Sequence, residues 1–167
     1  MIKFFNRILW FVGLLLLQIL ILNRIHWFGV ATPFLYIYFV LTLEHSMSRN
    51  QLMLWAFFLG LAVDICTNTF GIHAAATTFV AFVRPSILRL FFIREENAIY
   101  EPGIRAMSPA VFFSYAFVCT LLHHAIVFLL GFFSFSRPGL MLLHIGASTL
   151  LTLLLMIAVE LLRHNNR

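Results

Sequence analysis

The sequence predicts an all-α, polytopic membrane protein: a single helical bundle, residues 1–167, with about six transmembrane helices. Of the 167 residues, 62% are hydrophobic and 10% are charged, whereas a soluble domain has about 25% charged residues. Twenty phenylalanines would leave large apolar patches on the surface of a water-soluble fold. Because a span needs roughly 20 residues, the length allows about six spans and no sizeable soluble domain. An ordinary cytosolic enzyme, a disordered tail and a secreted disulfide scaffold are therefore excluded.

Six apolar stretches separated by polar or basic residues define the expected spans. They cover about residues 8–22, 33–43, 52–66, 72–84, 109–133 and 140–162. Thr32-Pro33 and Ser108-Pro109 each suit a helix start, because the hydroxyl can cap the helix and proline has no N–H to leave unpaired in the first turn. The first span begins like a signal peptide, but residues 22–26 contain no small-x-small cleavage site, so we expect an uncleaved helix.

The region around Pro85 is expected to interrupt the helical pattern. Proline lacks an N–H and clashes with the preceding turn, so Pro85 should end or kink the fourth span. The segment that follows, 86–94, mixes arginine with leucine and phenylalanine, which suits a separate helix lying at the membrane surface. Residues 95–106 form the one polar loop, and residues 136–139, Ser-Arg-Pro-Gly, are expected to form a tight turn.

The distribution of lysine and arginine predicts the orientation of the bundle. With six spans, the two termini, the loop near residue 49 and the long loop share one side, and that side carries Lys3, Arg7, Arg49, Arg84, Arg89, Arg94, Arg105, Arg163 and Arg167. The other side carries only Arg24 and Arg137. Since cytoplasmic loops hold the excess of lysine and arginine, both termini are expected in the cytoplasm.

Asp64 is an acidic residue inside an apolar span, where a charge costs about 2.5–3.5 kcal/mol. Gly60 lies one turn earlier on the same helix face, so a neighbouring helix can approach closely beside the carboxylate. Asn68 follows in a polar turn, and Gly71 can adopt a left-handed conformation before the fourth span. Asp64 is either a ligand or proton site, or a carboxylate that holds the hairpin by accepting hydrogen bonds. The structural interpretation, in which Asp64 holds the hairpin, is favoured because no second acidic residue accompanies it.

Other polar groups within the spans are assigned structural roles. Gln18 in the first span is expected to form a hydrogen bond between helices. Glu160, near the inner end of the sixth span, is expected to pair with Arg163 or to face water. These side chains therefore do not by themselves indicate a binding site.

Histidine and cysteine show no spacing typical of a metal site. His123 and His124 are adjacent, so on a helix they point about 100° apart and cannot chelate one metal together. Cys66 and Cys119 form no CxxC pair and are expected to be buried free thiols. With no catalytic motif in the sequence either, we predict no enzyme activity, no catalytic or metal-binding residues and no cofactor.

Residues 60–75 read Gly-Leu-Ala-Val-Asp-Ile-Cys-Thr-Asn-Thr-Phe-Gly-Ile-His-Ala-Ala and resemble the signature of the rod shape-determining protein MreD family. The positions that fit the family pattern are Gln18, Pro33, Gly60, Asp64 and Gly71. The chain length, the six-span plan and the cytoplasmic termini also fit, so the resemblance covers essentially the whole chain. One departure is Phe34, where the family often has an acidic residue after the proline. The structural or partner-binding candidates are Gln18, Pro33, Gly60, Asp64, Asn68 and Gly71.

This resemblance implies a non-catalytic scaffold of the cell-elongation complex in the bacterial inner membrane. Such a scaffold binds an MreC-type protein and, through it, acts with MreB, RodA and a class B penicillin-binding protein to maintain rod shape and organise lateral peptidoglycan synthesis. Its surroundings are membrane lipid, and it binds no nucleic acid.

A second function from another class follows from the same resemblance. The family's bundle is similar to the substrate-binding subunits of energy-coupling-factor vitamin transporters. The alternative is therefore a membrane solute-binding subunit, in which Asp64, Asn68, His73 and His144 could line an outward-facing polar pocket. A third class, a small membrane enzyme acting on lipid, lacks any nucleophile or metal motif.

Overall fold

The computed structural model describes residues 2–25, 27, 29–92, 100–131 and 138–165. Its helices are α1 (Ile2–Leu20), α2 (Ile37–Thr42), α3 (Arg49–Thr67), α4 (Ile72–Phe91), α5 (Pro109–Gly131) and α6 (Pro138–Asn165), with a short 3-10 turn at Leu22–Arg24. Five stretches are long and apolar enough to cross a membrane: residues 4–24, 49–67, 72–91, 109–131 and 138–163. The prediction of an all-helical, multi-pass membrane protein is confirmed at this level.

The helices pack mainly against their neighbours along the chain. The antiparallel hairpin of α3 and α4 forms the most extensive contact, α4 packs on α5, and α5 packs on α6. A capping box begins α3: the Ser48 hydroxyl accepts from the Gln51 N–H, and the Gln51 side chain accepts from the Ser48 N–H. On the other side of the hairpin, α1 packs on α3.

The second predicted span, 33–43, is not a membrane-length helix. Only Ile37–Thr42 is α-helical, because an apolar run of this length is too short to cross a bilayer as a helix. The run is nevertheless buried from Pro33 to Leu41. Its two ends contact opposite ends of α1: Gln18 donates to the Pro33 carbonyl, and Arg7 pairs with Glu44. Residues 31–44, which we call the crossing segment, therefore return through the bundle antiparallel to α1.

The expected helix end at Pro85 is wrong. The helix α4 continues through Pro85 to Phe91, and the residues that follow from 93 to 94 lie outside the described part of the chain. Proline removes one N–H···O bond, but Ala81, Arg84 and Leu88 are buried on both sides of it. This packing holds the helix together, so residues 86–91 are the last turns of α4 and not a separate surface helix.

Two ends of the bundle serve as reference points below. The terminal end contains Arg7 of α1 and Arg163 of α6, which line one cavity, and the Lys/Arg asymmetry predicts that it is cytoplasmic. The hairpin end contains the turn between α3 and α4. The last residues of the fifth predicted span, 132–133, and the first two of the predicted turn at 136–139 lie outside the described residues. The helix α6 extends beyond its predicted span at both ends and includes the last two residues of that turn.

Candidate functional site

Asp64 lies near the end of α3 and caps the beginning of α4. Its side chain is 2% exposed. One carboxylate oxygen accepts from the Thr69 hydroxyl and from the His73 N–H at 3.1 Å, and the other accepts from the Ala74 N–H at 2.8 Å. These N–H groups belong to the first turn of α4, where they have no partner within the helix. The negative charge therefore lies at the positive end of the α4 dipole, in the structural role that the sequence favoured.

The hairpin turn is closed by left-handed backbone at two positions. Asn68 ends α3 with φ 56° and donates its N–H to the Asp64 carbonyl, and Gly71 precedes α4 with φ 77°. Thr69 also donates its N–H to the Asp64 carbonyl, at 3.0 Å. Asp64 is thus bonded through both its backbone and its side chain to the turn that follows it.

Gly60 is the point where α3 and α4 approach most closely beside Asp64. A Cβ atom built on Gly60 would lie 2.4 Å from the Thr77 hydroxyl, 2.5 Å from the Ala74 Cα and 2.6 Å from the His73 carbonyl oxygen. Two of these three atoms belong to backbone, which cannot move aside without shifting α4. The Thr77 hydroxyl lies 2.9 Å from the Ala56 carbonyl of α3, to which it donates. Gly60 is therefore required for the contact between the two helices.

Gln18 joins α1 to the crossing segment. The Gln18 amide is fully buried and donates to the Pro33 carbonyl at 2.9 Å and to the Asn23 side chain at 2.7 Å. The sequence predicts a hydrogen bond between helices at Gln18, whereas its partners are the extended backbone at Pro33 and Asn23 of the 3-10 turn that follows α1. Pro33 contributes through its carbonyl, so the two candidate positions lie in direct contact at the hairpin end of α1.

The extended part of the crossing segment obtains its backbone hydrogen bonds from α6. The Thr32 N–H donates to Ser148 at 3.0 Å, and the Phe34 N–H donates to Thr152 at 3.1 Å. The two donors are two positions apart in the segment, whereas their acceptors are four positions apart on α6, a distance of about 6 Å along the helix. The segment therefore rises about 3 Å per residue, as a β-strand does. Non-helical backbone at membrane depth is tolerated only where protein groups satisfy it, and Ser148 and Thr152 do so here.

Arg84 is a buried cation that the sequence analysis wrongly grouped with the surface arginines. It is 1% exposed. Its Nε donates to the Tyr115 hydroxyl at 2.9 Å, and its Nη2 donates to the carbonyls of Leu41 and Leu43. These carbonyls lie at the end of α2, so the positive charge faces the negative end of that helix. In the described residues, no carboxylate lies within ion-pair distance of Arg84.

The histidines within the bundle are bonded to neighbouring protein groups. The Tyr36 hydroxyl lies 2.8 Å from His73 Nδ1 and 2.9 Å from His123 Nε2. His124 instead contacts Thr152, at 3.2 Å, so the adjacent histidines point to different partners as predicted. Within the described ranges, no group of three or more His, Cys, Asp or Glu residues could hold a metal ion.

At the terminal end, charged side chains surround a cavity of about 220 Å³. Arg7 pairs with Glu44 at 2.5 Å, and Arg163 pairs with Glu101. Glu160 lies 3.6 Å from Arg163, which confirms the predicted pair, and it accepts a hydrogen bond from the Tyr38 hydroxyl. These residues come from α1, α6, the crossing segment and the loop before α5.

The two cysteines are free and differ in burial. Cys119 is buried, as expected, but Cys66 is exposed. The prediction for Cys66 is wrong because the last turn of α3 is exposed at Ile65 and Cys66, and the residue buried there is Asp64.

Comparisons with protein-family models, curated proteins and solved structures find no match for this chain.

Proposed function

We propose that this chain is a non-catalytic membrane scaffold of the MreD type, which binds an MreC-type partner and supports rod shape and lateral peptidoglycan synthesis. The observation that carries the proposal is the use of the signature residues within the hairpin. Gly60 permits the helix contact, Asp64 caps α4, and Gly71 supplies the left-handed turn. The signature residues thus fix the shape of the hairpin end, which is the surface that the proposal assigns to the partner.

The same contacts argue against the alternative of a solute-binding subunit. That function needs the polar atoms of Asp64, Asn68, His73 and His144 to line an outward-facing pocket, and of these four residues only Asn68 is exposed. Both Asp64 oxygens accept hydrogen bonds from the α4 side of the hairpin, His73 Nδ1 contacts Tyr36, and His144 Nδ1 lies 2.6 Å from the Val30 carbonyl. A solute would have to displace these bonds, so the scaffold function is the better supported of the two.

The surface proposed for the partner is the hairpin end, around the turn between α3 and α4. Phe70 lies outside both helices and is 99% exposed, and the nearby Ile65 is 73% exposed. A large aromatic side chain is costly in water and is a frequent anchor in protein interfaces. With the predicted orientation this turn faces the periplasm, where an MreC-type scaffold has its soluble part.

Depletion of the chain in the cells that produce it tests the proposal, which requires those cells to be rods. We expect rods to become spheres and an inducible copy of the wild-type gene to restore rods. A copy with Phe70→Ser should reach normal abundance but fail to restore the shape, because Phe70 packs against nothing inside the bundle. Cells that remain rods after depletion would overturn the proposal. Purified protein that retains a tightly bound vitamin-sized molecule would replace it with the solute-binding function.

A further inference from the structure

An apolar groove lies between α1 and α6, and it adjoins the charged cavity at the terminal end. The groove has a volume of about 500 Å³, and Trp10 and Arg163 line both spaces. The other groove residues are all apolar or glycine: Leu9, Gly13, Leu14, Leu17, Val159 and Leu162. Cavities of about 300–1,000 Å³ with apolar walls and a few polar groups are typical of small-molecule sites.

The groove is open because α1 and α6 are not closely packed on each other. Gly13 contributes to this opening: a Cβ atom built on Gly13 would meet no other atom within 4 Å. Both helices are apolar enough to cross a membrane, so the groove lies at the depth of the lipid chains. Its occupant must therefore be apolar along the groove and polar at the terminal end, as a phospholipid is.

The charges of the adjoining cavity select among phospholipid headgroups. Arg7 and Arg163 line it together with Glu44 and Glu101, so it carries two cations and two anions. The Arg7 guanidinium pairs with Glu44 through one nitrogen, and an arginine has five N–H donors. A headgroup that carries both a phosphate and a protonated amine complements such a balanced set.

We propose that this groove and cavity form a binding site for phosphatidylethanolamine. One acyl chain lies in the groove between α1 and α6, the phosphate faces Arg7 and Arg163, and the ammonium group faces Glu44 and Glu101. Phosphatidylcholine has the same charges but no N–H donors on its quaternary nitrogen, so it lacks the hydrogen bonds to the carboxylates. An anionic headgroup supplies no cation for the carboxylates. The proposal is independent of the proposed scaffold function.

Native mass spectrometry of the full chain in nanodiscs tests the site. The nanodiscs contain equal amounts of phosphatidylethanolamine, phosphatidylcholine and phosphatidylglycerol with matched acyl chains. We expect phosphatidylethanolamine to be retained about tenfold over phosphatidylcholine, the effect of one hydrogen bond to a charged group. Equal retention of all three lipids would overturn the proposal. Preferential retention of phosphatidylglycerol would also overturn it, because the site would then be one for anionic lipid.

Two variants separate the groove from the headgroup cavity. Gly13→Leu fills the groove without a clash and should reduce retained lipid about tenfold; Gly146→Leu, on α6 and equally free of neighbours within 4 Å, should not. Glu101→Gln removes one carboxylate and should lower the preference for phosphatidylethanolamine over phosphatidylcholine while total lipid is kept. If Gly13→Leu binds lipid as the wild type does, or if Glu101→Gln leaves the preference unchanged, the proposed site is wrong.

Discussion

Two charged residues that are almost completely buried each stabilise one end of a helix. Asp64 accepts hydrogen bonds from the N–H groups that begin α4, and Arg84 donates to the carbonyls that end α2. Each charge thus meets the helix end of opposite sign, an arrangement that contributes about 0.3–1 kcal/mol at exposed sites and up to about 2 kcal/mol when partly buried. This offsets part of the cost of placing a charge within the bundle.

The contacts of Asp64 predict how substitutions at this position affect stability. Both carboxylate oxygens accept hydrogen bonds. Asp64→Asn therefore leaves one backbone N–H facing the amide NH₂ group. It should lower the free energy of unfolding by about 1 kcal/mol, the usual effect of losing a helix cap. Asp64→Leu removes all three acceptor contacts and should cost at least about 2 kcal/mol. Thermal unfolding of the detergent-solubilised protein should rank wild type above Asp64→Asn and Asp64→Leu lowest. Normal stability of both variants would contradict the capping role.

The burial of Asp64 is predictable from the sequence and that of Arg84 is not, for a physical reason. A single acid in an apolar run has no alternative location, so its burial and its need for donors are predictable. Arg84 precedes a proline and belongs to a series with Arg89 and Arg94, which is also typical of a membrane-surface helix. Its burial depends on Leu41 and Leu43, which are distant in sequence. The spacing of Thr77, Ala81, Arg84 and Leu88 on one helix face was the available signal.

Among the elements of the bundle, the crossing segment differs most from a regular transmembrane helix. Its first part is extended and buried, so its N–H groups depend on the hydroxyls of Ser148 and Thr152. The sequence showed an apolar run beginning at Pro33, which is equally compatible with a short span. The partners that allow extended backbone here lie more than a hundred residues away, beyond the reach of local patterns.

A pair of isosteric variants on α6 tests this dependence. Thr152→Val removes the acceptor of the Phe34 N–H and should destabilise the protein by about 1 kcal/mol, in the range of hydrogen bonds inside membrane proteins. Thr149→Val is the matched control, because the Thr149 hydroxyl is buried on the same helix and has no hydrogen-bond partner in the described part of the chain. Denaturant unfolding in mixed micelles should show a lower midpoint for Thr152→Val alone. Equal midpoints for the two variants would mean that the crossing segment does not rely on α6.

For the whole molecule, composition was sufficient to predict the fold class, because a chain so apolar cannot fold in water as a monomer. The sequence predicts about six transmembrane helices, whereas five helices of the described residues are long and apolar enough to cross a membrane. The difference is the buried segment 31–44, of which only Ile37–Thr42 is α-helical. The packing of one helix on another is harder to predict from the sequence. The close contact at Gly60 and the open groove at Gly13 both involve a glycine in an apolar helix. They differ only in the neighbour that faces the glycine.

Co-purification tests whether the hairpin end binds an MreC-type scaffold, as we propose. The tagged full chain is co-expressed with the MreC-type protein of the same organism, solubilised in mild detergent, and the partner retained per tagged chain is measured. We expect the wild type and Leu90→Ser, a change of an exposed apolar residue near the terminal end of α4, to retain the partner. Phe70→Ser should reduce retention about tenfold, as the loss of an aromatic interface anchor does. A wild-type protein that retains no partner, or equal retention by Phe70→Ser, would contradict the claim.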